Sequence, residues 1–509
     1  MRETSSKNSP TQKPHRVLDL DTTYVLIALA PIVLRALIMP VAPNDFWWHM
    51  AHGRLIWNTG SVPVADHFSY TQNGAPFYNQ SWLSQLWFYG LQQLGGVPMV
   101  LVGQAFCVAF AYGLLLWLCI KRTDKKRLCV GLLLAGVMPM SFDNWQVRPQ
   151  TFALPFFAAY ICILSAYRLR WGNYLWVLPL LMAFWVNLHG SFEQGLALIV
   201  LTLIGEGIRR KRSDNQALTA SQWRALLGWG ALSFAATLLN PRGINIYFYV
   251  HDVLRHPSTQ FSSEWAAPSF KQFTDVYFFL YVIVLAVVLW KARPRPPLTD
   301  WLLVLPFLLV AFISGRSIMW FGLVSLPLFA LALSSLIKAP STNESTGKQL
   351  NERSATLMNG VVVLVVWLMV LLTLPWIKPA LGLPPQLGSV VDPQTPVKMT
   401  AALRALPPDE RPKRLFHSEA FGSYLIWAAP EQKVFLDPRF ELYPPEQWRD
   451  FNDLKRGLRV PELLLTYRFD GLMLDKKEHK NLMAKVKALG IWKVAYERPG
   501  AVLMVKNRR

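Results

Sequence analysis

The stretch Asn44-Asp45-Phe46-Trp47-Trp48-His49-Met50-Ala51-His52-Gly53 follows directly on the first long apolar segment of the chain, Thr22–Ala42. If Asp45 begins a short helix, its carboxylate and the imidazoles of His49 and His52 share one helix face. An acid and two imidazoles at the mouth of a membrane helix predict chemistry or metal binding there. The alternative is an interfacial belt of aromatic side chains, because tryptophan is enriched at membrane surfaces in general.

The composition is that of an integral membrane protein. Of the 509 residues, 52% are hydrophobic, 21 are tryptophan and only 16% are charged, against roughly 25% in soluble domains. The net charge of +21 does not predict nucleic-acid binding, because the lysines and arginines lie mostly in short loops, where they set membrane topology. The four cysteines fall in or beside apolar segments, so we expect neither a disulfide framework nor a zinc site.

Apolar runs long enough to cross about 30 Å of hydrocarbon recur along the chain and predict about eleven spans. The predicted spans are Thr22–Ala42, Val97–Ile120, Leu128–Phe142, Thr151–Tyr167, Tyr174–Leu188, Phe192–Ile208, Trp223–Leu239, Tyr277–Trp290, Trp301–Ser314, Ile318–Ile337 and Leu357–Ile377. The segment Trp82–Leu94 is rich in aromatic residues and glutamine and ends at Gly95-Gly96. It is predicted to be an amphipathic helix at the membrane interface.

The loops between these runs alternate between two sets. One set is basic and comprises the tail over residues 1–21, Lys121–Arg127, Arg168 with Arg170, Arg209–Arg212, Lys291–Arg295 and Lys338–Arg353. The positive-inside rule places this set in the cytoplasm. Because the number of spans is odd, the transmembrane domain over residues 22–378 then leaves the C-terminal part of the chain outside the cytoplasm.

The other set of loops carries the unusual residues, all on the predicted outer face. It comprises the first outer loop (43–96), Asp143–Pro149, Asn187–Glu193, Asn240–Trp265 and Ser314–Ser317. Each loop taken alone also fits a helix cap or an interfacial anchor. Because charge at membrane depth needs a partner, we expect the group to meet in one hollow around Asp45.

The composition changes after Pro375. Residues 379–397 are rich in proline and predict a linker, and residues 398–509 predict a small soluble α/β domain. Its predicted strands are Arg414–Phe416, Lys433–Leu436, Gly471–Leu474, Trp492–Tyr496 and Ala501–Val505, and its predicted helices are Pro396–Ala405, Phe421–Trp427, Pro445–Arg456, Val460–Tyr467 and Lys477–Leu489. Within this C-terminal domain, Asp437 and Arg439 fit a salt bridge in a loop. Alternatively, they belong to a binding site for an acceptor or a partner.

These residue types fit a transfer reaction to or from a phosphorylated lipid. Asp45 is the best candidate for the general base at an acceptor hydroxyl, and His49 is the second candidate. Alternatively, these two residues hold a divalent cation, Mg²⁺ or Mn²⁺, that neutralises the leaving phosphate. The candidates for binding the donor phosphate are Arg148, His189, Arg242 and Arg316. The candidates for substrate contacts are Trp48, His52, Asp66, Trp82, Glu193 and Glu264. For each arginine the alternative is a side chain that snorkels from a helix end.

The first outer loop resembles that of the C-type-fold (GT-C) glycosyltransferases, a superfamily that includes protein O-mannosyltransferases and lipid A aminoarabinose transferases. The pattern is Asp45-x-x-Trp48-His49-x-x-x-Gly53, continuing through Gly60, Pro63, Asp66 and Thr71 to Trp82-Leu83. A poorly characterised bacterial branch also shares Arg148-Pro149, Asn187-Leu188-His189-Gly190, Asn240-Pro241-x-Gly243, Gly422-x-Tyr424-Leu425-Ile426-Trp427 and Asp437-x-Arg439. The pattern departs at Phe46, where many members carry a second acid, which leaves metal dependence and catalytic activity open.

The resemblance implies a mainly α, polytopic transmembrane bundle with a small extracytoplasmic α/β domain at its C-terminus. It implies a glycosyltransferase of the bacterial inner (plasma) membrane that moves a sugar from a polyprenyl-phosphate-linked donor to an extracytoplasmic glycan, lipid or protein. Asp45 is the residue that matches the acidic base or metal ligand of the superfamily. We expect no nucleic-acid partner.

Three other interpretations remain. A transporter usually shows repeated halves, which are not visible here, and Glu206 near an inner helix end is a lone acid. A protein that binds lipid-linked glycan without turning it over is not distinguished from an enzyme by sequence. A serine hydrolase using Ser191 and His189 lacks the acid, histidine and serine spacing of such enzymes.

Overall fold

The structure is a computed structural model that describes residues 18–257, 265–337 and 352–507. The larger part of the structure, up to Leu372, consists mainly of helices joined by loops. The helices are Leu20–Ile27, Ala30–Ile38, Phe46–Thr59, Trp82–Thr123, Lys126–Leu132, Pro149–Arg168, Val177–Leu188, Phe192–Lys211, Ala220–Ala236, Asn245–Arg255, Phe273–Lys291, Leu298–Ile313, Ile318–Ser334 and Glu352–Leu372.

Each predicted span coincides with helical structure. Within the described residues, six helices are long and apolar enough to cross a membrane: Leu20–Ile38, Trp82–Thr123, Pro149–Arg168, Phe273–Lys291, Gly315–Ser334 and Ser354–Leu372. The predicted span Leu128–Phe142 is not one regular helix, because an α-helical turn passes into a π-helix over Leu133–Val137 and a 3-10 helix over Pro139–Asn144. The predicted mainly α membrane bundle is confirmed.

The helix Trp82–Thr123 is interrupted where the sequence predicts a break. Gly95 and Gly96 have non-helical backbone angles, and Gly96 has a φ of 70°, which favours glycine. Trp82–Leu94 is therefore a separate helical segment, as predicted. Its position at a membrane interface stays a prediction.

A buried ion cluster joins the loops of the basic set at one end of the bundle. The carboxylate of Glu206 accepts hydrogen bonds from Arg168 at 3.1 Å and from Arg209 at 2.8 Å. The carboxylate of Asp300 is paired with Arg168 at 3.0 Å and with Arg122 at 2.5 Å. The interpretation of Glu206 as a lone acid is therefore wrong, because a charge buried this deeply is retained only with partners.

The C-terminal domain lies at the opposite end of the bundle, with the loops of the other set. Its helices are Val397–Ala405, Glu419–Ala428, Pro445–Arg456, Val460–Thr466 and Lys480–Ala488. Its sheet contains β1 (Leu415–His417), β2 (Gly471–Asp475), β3 (Trp492–Arg498) and β4 (Ala501–Lys506), in the order β1-β2-β4-β3. β1 is parallel to β2, and the other two pairs are antiparallel. The predicted small α/β domain is confirmed.

The fifth predicted strand, Lys433–Leu436, does not belong to this sheet. Val434 instead pairs with the first outer loop: its N–H donates to Phe68 and its carbonyl accepts from Tyr70, both at 3.0 Å. The predicted linker also contacts the bundle, because Val41 donates to Val390 at 2.9 Å. Two stretches of the chain that are distant in sequence thus hold the C-terminal domain onto the bundle.

Candidate functional site

The helix Phe46–Thr59 carries the residues with which the sequence analysis begins. It lies against the helix that starts at Trp82, and Gly53 makes the approach possible, because a Cβ at this position would lie 2.1 Å from the carbonyl oxygen of Gln85. The helix ends at Gly60, which has a φ of 66° and donates to the carbonyl of Ile56. Asp45 is its first flanking residue, at the positive end of the helix dipole.

Asp45 is paired with an arginine from the second outer loop. Nε of Arg148 lies 3.1 Å from Oδ2 of Asp45, and the two side chains keep 15% and 27% of their surface exposed. Arg148 stands immediately before Pro149, which holds it in an extended conformation with a φ of −141° and a ψ of 156°. Because the pair is half-buried, the opposite charges attract each other strongly, and a substrate can still reach both side chains from outside the protein.

His49 lies close to this pair, and its ring is held by an amide side chain. Its Nδ1 lies 3.1 Å from the amide nitrogen of Gln85, whose other N–H donates to Asn79 at 2.7 Å. Nδ1 therefore accepts, and the ring proton is on Nε2. Burial holds the pKa of His49 well below 6.5, and the charge of Arg148 lowers it further. The lone pair of Nδ1 is thus engaged by Gln85, and the role of His49 as an alternative base stays a prediction.

His52 is enclosed one turn further along the same helix. Its ring contacts the rings of Trp48, Phe68 and Phe77, and its Nδ1 lies 3.0 Å from the carbonyl oxygen of Trp48. Burial lowers the pKa of His52 to about 3. With 1% of its surface exposed, the ring is enclosed by aromatic side chains of the first outer loop, and its contact with a substrate stays a prediction.

Asp66 and Trp48 also belong to this contact. Asp66 has no exposed surface, and its carboxylate lies 2.8 Å from Nη2 of Arg439 in the C-terminal domain. Arg439 also pairs with Asp437 at 2.6 Å, which is the loop salt bridge expected from the sequence. The guanidinium lies 6.0 Å from the ring of Trp48. Both side chains take part in the packing between the two parts of the chain, and their contacts with a substrate stay predictions.

His189 and Arg316 lie on the bundle side of the site. Nδ1 of His189 accepts from the N–H of Ser191 at 3.0 Å, which fixes the ring just before the next helix begins. Burial, with the charge of Arg316, lowers the pKa of His189 to about 3. Nε of Arg316 donates to Gln150 at 3.3 Å, two residues beyond Arg148. The loops carrying these residues therefore converge, as the sequence analysis predicts.

Arg242 and Trp82 line a separate hollow. The guanidinium of Arg242 lies 4.7 Å from the ring of Tyr78, and Nε1 of Trp82 donates to Asn187 at 2.7 Å. The hollow is lined by Val62, Pro63, Val64, Tyr78, Asn79, Gln80, Trp82, Val186, Asn187, Asn240, Pro241, Arg242 and Ile246. The expectation of a single hollow is thus corrected to two adjoining regions, which share the segment Tyr78–Gln80.

The last two predicted substrate contacts have different positions. Glu193 lies half-buried in the first turn of the helix Phe192–Lys211, on the outer side. Glu264 lies outside the described residues. The roles of both stay predictions.

The site does not fit a divalent cation held by Asp45 and His49. The carboxylate of Asp45 faces a guanidinium, and Nδ1 of His49 is engaged by Gln85. Over residues 18–257, 265–337 and 352–507, the side chains form no cluster of three or more His, Cys, Asp or Glu that could hold a metal. The positive charge next to the carboxylate comes from Arg148.

Several residues of the site were missed by the sequence analysis. Gln85 and Asn79 form a reciprocal amide pair that orients His49. Gln80 donates to the carbonyl of Val186 at 2.8 Å, which ties the first outer loop to the loop of His189. The available signal was the unusual density of glutamine and asparagine between Gln72 and Gln93, since amides buried near a membrane need partners.

The fold is similar to that of solved membrane glycosyltransferases. An Archaeoglobus fulgidus oligosaccharyltransferase tethered with an acceptor peptide matches with a TM-score of 0.56 and 11% identity, over 97% of this chain and 75% of that chain. The A. fulgidus oligosaccharyltransferase AglB in complex with an inhibitory peptide and a dolichol-phosphate matches with a TM-score of 0.53 and 12% identity, over 89% and 69%. ArnT from Cupriavidus metallidurans bound to undecaprenyl phosphate matches with a TM-score of 0.52 and 12% identity, over 94% and 97%.

No family model and no curated protein matches the sequence. The described structure is nevertheless that of a polytopic membrane protein with a soluble C-terminal domain. The chain has the C-type (GT-C) glycosyltransferase fold that its first outer loop predicts.

Proposed function

We propose that the protein transfers a glycosyl unit from a polyprenyl-phosphate-linked donor to an acceptor on the face of the bundle that carries Asp45. The single observation that carries the proposal is the half-buried pair of Asp45 and Arg148 at the convergence of three outer loops. The similarity to structures solved with undecaprenyl phosphate, dolichol-phosphate and an acceptor peptide supports it.

The two members of the pair have complementary roles in this reaction. Asp45 accepts the proton of the acceptor hydroxyl as the new glycosidic bond forms. Arg148 holds the lipid phosphate as it leaves, because a guanidinium has five N–H donors and serves a carboxylate and a phosphate at once. Arg316 and His189, from the converging loops, are the further groups proposed to hold this phosphate. The charge that builds up on the phosphate is stabilised by guanidinium groups, so this proposal needs no divalent cation.

The second region is proposed to bind the sugar or the acceptor. Tyr78 and Trp82 offer ring faces, and Asn187, Asn240 and Arg242 offer hydrogen-bonding groups. Aromatic rings interleaved with amides suit a polar ligand with apolar faces. Tyr78 stacks on Tyr249 at 4.2 Å, and the hydroxyl of Tyr249 donates to Glu441 of the C-terminal domain at 3.2 Å. The C-terminal domain is thereby in contact with the ring that forms one wall of this region.

The proposal includes an orientation. The membrane of a bacterial cell would hold the ion cluster of Glu206 and Asp300 on the cytoplasmic side and Asp45 on the outer side. The basic loops that begin at Lys121, Arg168 and Arg209 lie at the end of the bundle with the ion cluster, and the positive-inside rule assigns this end to the cytoplasm. The partners are then a lipid-linked sugar in the membrane and an extracytoplasmic glycan, lipid or protein.

Mass spectrometry of lipid-linked sugars and envelope glycans tests the function in cells. We compare cells with the wild-type protein, without it, with Asp45→Asn, and with Asp252→Asn as a matched control. Asp252 is an exposed carboxylate in another loop of the same face. Loss of the protein and Asp45→Asn should both cause the lipid-linked donor to accumulate and one glycan to disappear, whereas Asp252→Asn should behave as wild type.

Other outcomes contradict the proposal. If deletion changes the glycans but Asp45→Asn does not, Asp45 is not the base, and the role proposed for its pair with Arg148 fails. If neither changes any lipid-linked sugar or glycan, the assignment to sugar transfer fails.

A further inference from the structure

The helix Phe46–Thr59 has an unusual N-terminus. The first N–H groups of any helix lack partners within it, and the side chain of the flanking residue normally accepts from the second or third of them. Asp45 holds this flanking position and is among the residue types best suited to the task. Its backbone is already helical, with a φ of −63° and a ψ of −27°, and its side chain makes no such hydrogen bond.

A serine of the C-terminal domain accepts the hydrogen bond from the helix N-terminus instead. The N–H of Trp48, the third residue of the helix, donates to Oγ of Ser423 at 3.2 Å. The hydroxyl of Ser423 in turn donates to the carbonyl oxygen of Asn44. Ser423 is buried, and one hydroxyl thus holds both sides of the turn that contains Asp45.

The contact is part of a larger interface between two helices. Ser423 lies on the helix Glu419–Ala428, which packs along the helix Phe46–Thr59. Tyr424 meets the ring of Trp47 edge-on at 4.9 Å. The guanidinium of Arg54 donates to the carbonyl of Trp427 at 3.0 Å and lies 4.4 Å from its ring. These contacts fix the helix that carries Ser423 against the helix Phe46–Thr59 and thereby hold the hydroxyl at the helix terminus.

We propose that Ser423 is a positioning residue: it caps the helix in place of Asp45 and thereby leaves the Asp45 carboxylate to Arg148 and the reacting hydroxyl. Without this hydroxyl, the backbone of Asp45 opens to the extended conformation of a capping residue, and its carboxylate turns back to accept from Trp48 and leaves Arg148. The C-terminal domain thus sets the direction of the carboxylate from a distance of several hundred residues in sequence. The catalytic consequence rests on the proposed function, whereas the structural exchange of caps does not.

A double-mutant cycle on thermal unfolding tests the exchange without any assay of transfer. The full-length protein in detergent is compared as wild type, Ser423→Ala, Asp45→Ala and the double variant. Because Asp45 replaces the lost cap in Ser423→Ala, the double variant should lose more than the sum of the two single losses, by on the order of 2 °C. Additive losses would overturn the proposal.

A matched control comes from a helix that caps itself at the other end of the bundle. Thr219 accepts from Gln222 at the start of the helix Ala220–Ala236. The losses of Thr219→Ala and Asp45→Ala should add, because no exchange of caps connects them. Synergy of the same size with Thr219→Ala would show a general weakening of the fold and would also overturn the proposal.

The kinetics of glycosyl transfer provide the second test of the positioning role of Ser423. Ser423→Ala should lower kcat about 10- to 100-fold and leave the KM for the lipid-linked donor unchanged, because the base is misdirected while the donor site is intact. An equal fall in activity for Thr219→Ala, or a change confined to KM, contradicts a positioning role. If the wild-type protein transfers no sugar, the proposed function fails, and the unfolding cycle still decides the exchange of caps.

Discussion

Nε of Arg148 lies 3.1 Å from Oδ2 of Asp45, although the two residues come from different loops on either side of the helix Trp82–Thr123. Each stands at the N-terminus of its own helix. The pairing gives the site a preformed geometry, with an acceptor for a proton and a donor to phosphate oxygens in direct contact. Because the pair is not fully buried, its contribution to the free energy of folding is modest. We therefore assign its geometry to the reaction that we propose.

Lysine should not replace Arg148 in the transfer reaction. Arg148→Lys keeps the charge but loses the planar fork that pairs with a carboxylate and a phosphate together. We expect transfer to fall about 100-fold and binding of undecaprenyl phosphate to weaken. Scintillation or thermophoresis binding and a transfer assay measure the two effects. Arg255→Lys, an exposed arginine of the same face, is the control, and equal losses in both variants would contradict a specific role of Arg148.

Arg439 should be essential for stability. Arg439→Met leaves the buried carboxylates of Asp66 and Asp437 without their guanidinium, and removing one partner of a buried ion cluster costs about 3–5 kcal/mol. We expect a large fall in the unfolding temperature and faster proteolysis of the first outer loop. Arg459→Met, which removes exposed ion pairs of the same domain, should change stability little. Similar losses in both variants would show that the buried cluster does not join the two parts.

Acid should destabilise the folded protein through its buried histidines. The pKa of His52 is lowered to about 3 in the folded state, from 6.5 in the unfolded chain. Between these values the unfolded chain binds a proton that the folded one excludes, so stability falls as the pH drops below 6.5, by up to about 1.4 kcal/mol per pH unit. Unfolding measured from pH 7 to pH 4.5 should show this slope.

In the variant His52→Gln, the chain should take up about one proton fewer on unfolding than in the wild type, so the slope should be smaller. His189 is buried with a pKa lowered to about 3, so part of the acid sensitivity should remain in His52→Gln. An unchanged slope in His52→Gln would contradict the enclosure of this ring.

Labelling of intact cells should place the two ends of the bundle on opposite sides of the membrane. Asp252→Cys and Lys211→Cys both introduce a thiol at an exposed position, the first on the face of Asp45 and the second near the ion cluster. A membrane-impermeant maleimide should label Asp252→Cys in intact cells and Lys211→Cys only after permeabilisation. The wild-type protein is the background control, since Cys119, Cys129 and Cys162 are buried. The reverse pattern would invert the proposed topology.

Elements with a local signal were predictable from the sequence. The apolar runs place the helices, and the glycine pair at Gly95-Gly96 marks the break in the longest one. The alternation of basic and non-basic loops correctly sorts the loops to the two ends, because each set is defined by composition alone. The convergence of the loops of Asp45 and Arg148 was expected from the sequence, but the ion pair between the two side chains was not, and it is a finding of the structure.

What could not be predicted depends on contacts between distant segments. Lys433–Leu436 has the composition of a strand but pairs with the first outer loop, which no local pattern indicates. Asp66 has the appearance of a site residue in sequence, yet its partner is Arg439, far along the chain. The same holds for His49, because the hydrogen bond from Gln85 to its Nδ1 joins two segments that are distant in the sequence. In each case burial at a tertiary contact decides the role of a polar side chain, and burial is not a property of the local sequence.

The central claim is tested most directly by single-turnover transfer in liposomes. The purified protein is reconstituted with lipid-linked sugars extracted from cells that lack it, together with an envelope fraction as acceptor, and released undecaprenyl phosphate is measured. The wild type and Asp252→Asn should release the lipid phosphate and form a glycosylated product, while Asp45→Asn should bind the donor equally well and release none. Release by Asp45→Asn at the wild-type rate would contradict the account, because the carboxylate at the centre of the site would then have no part in the reaction.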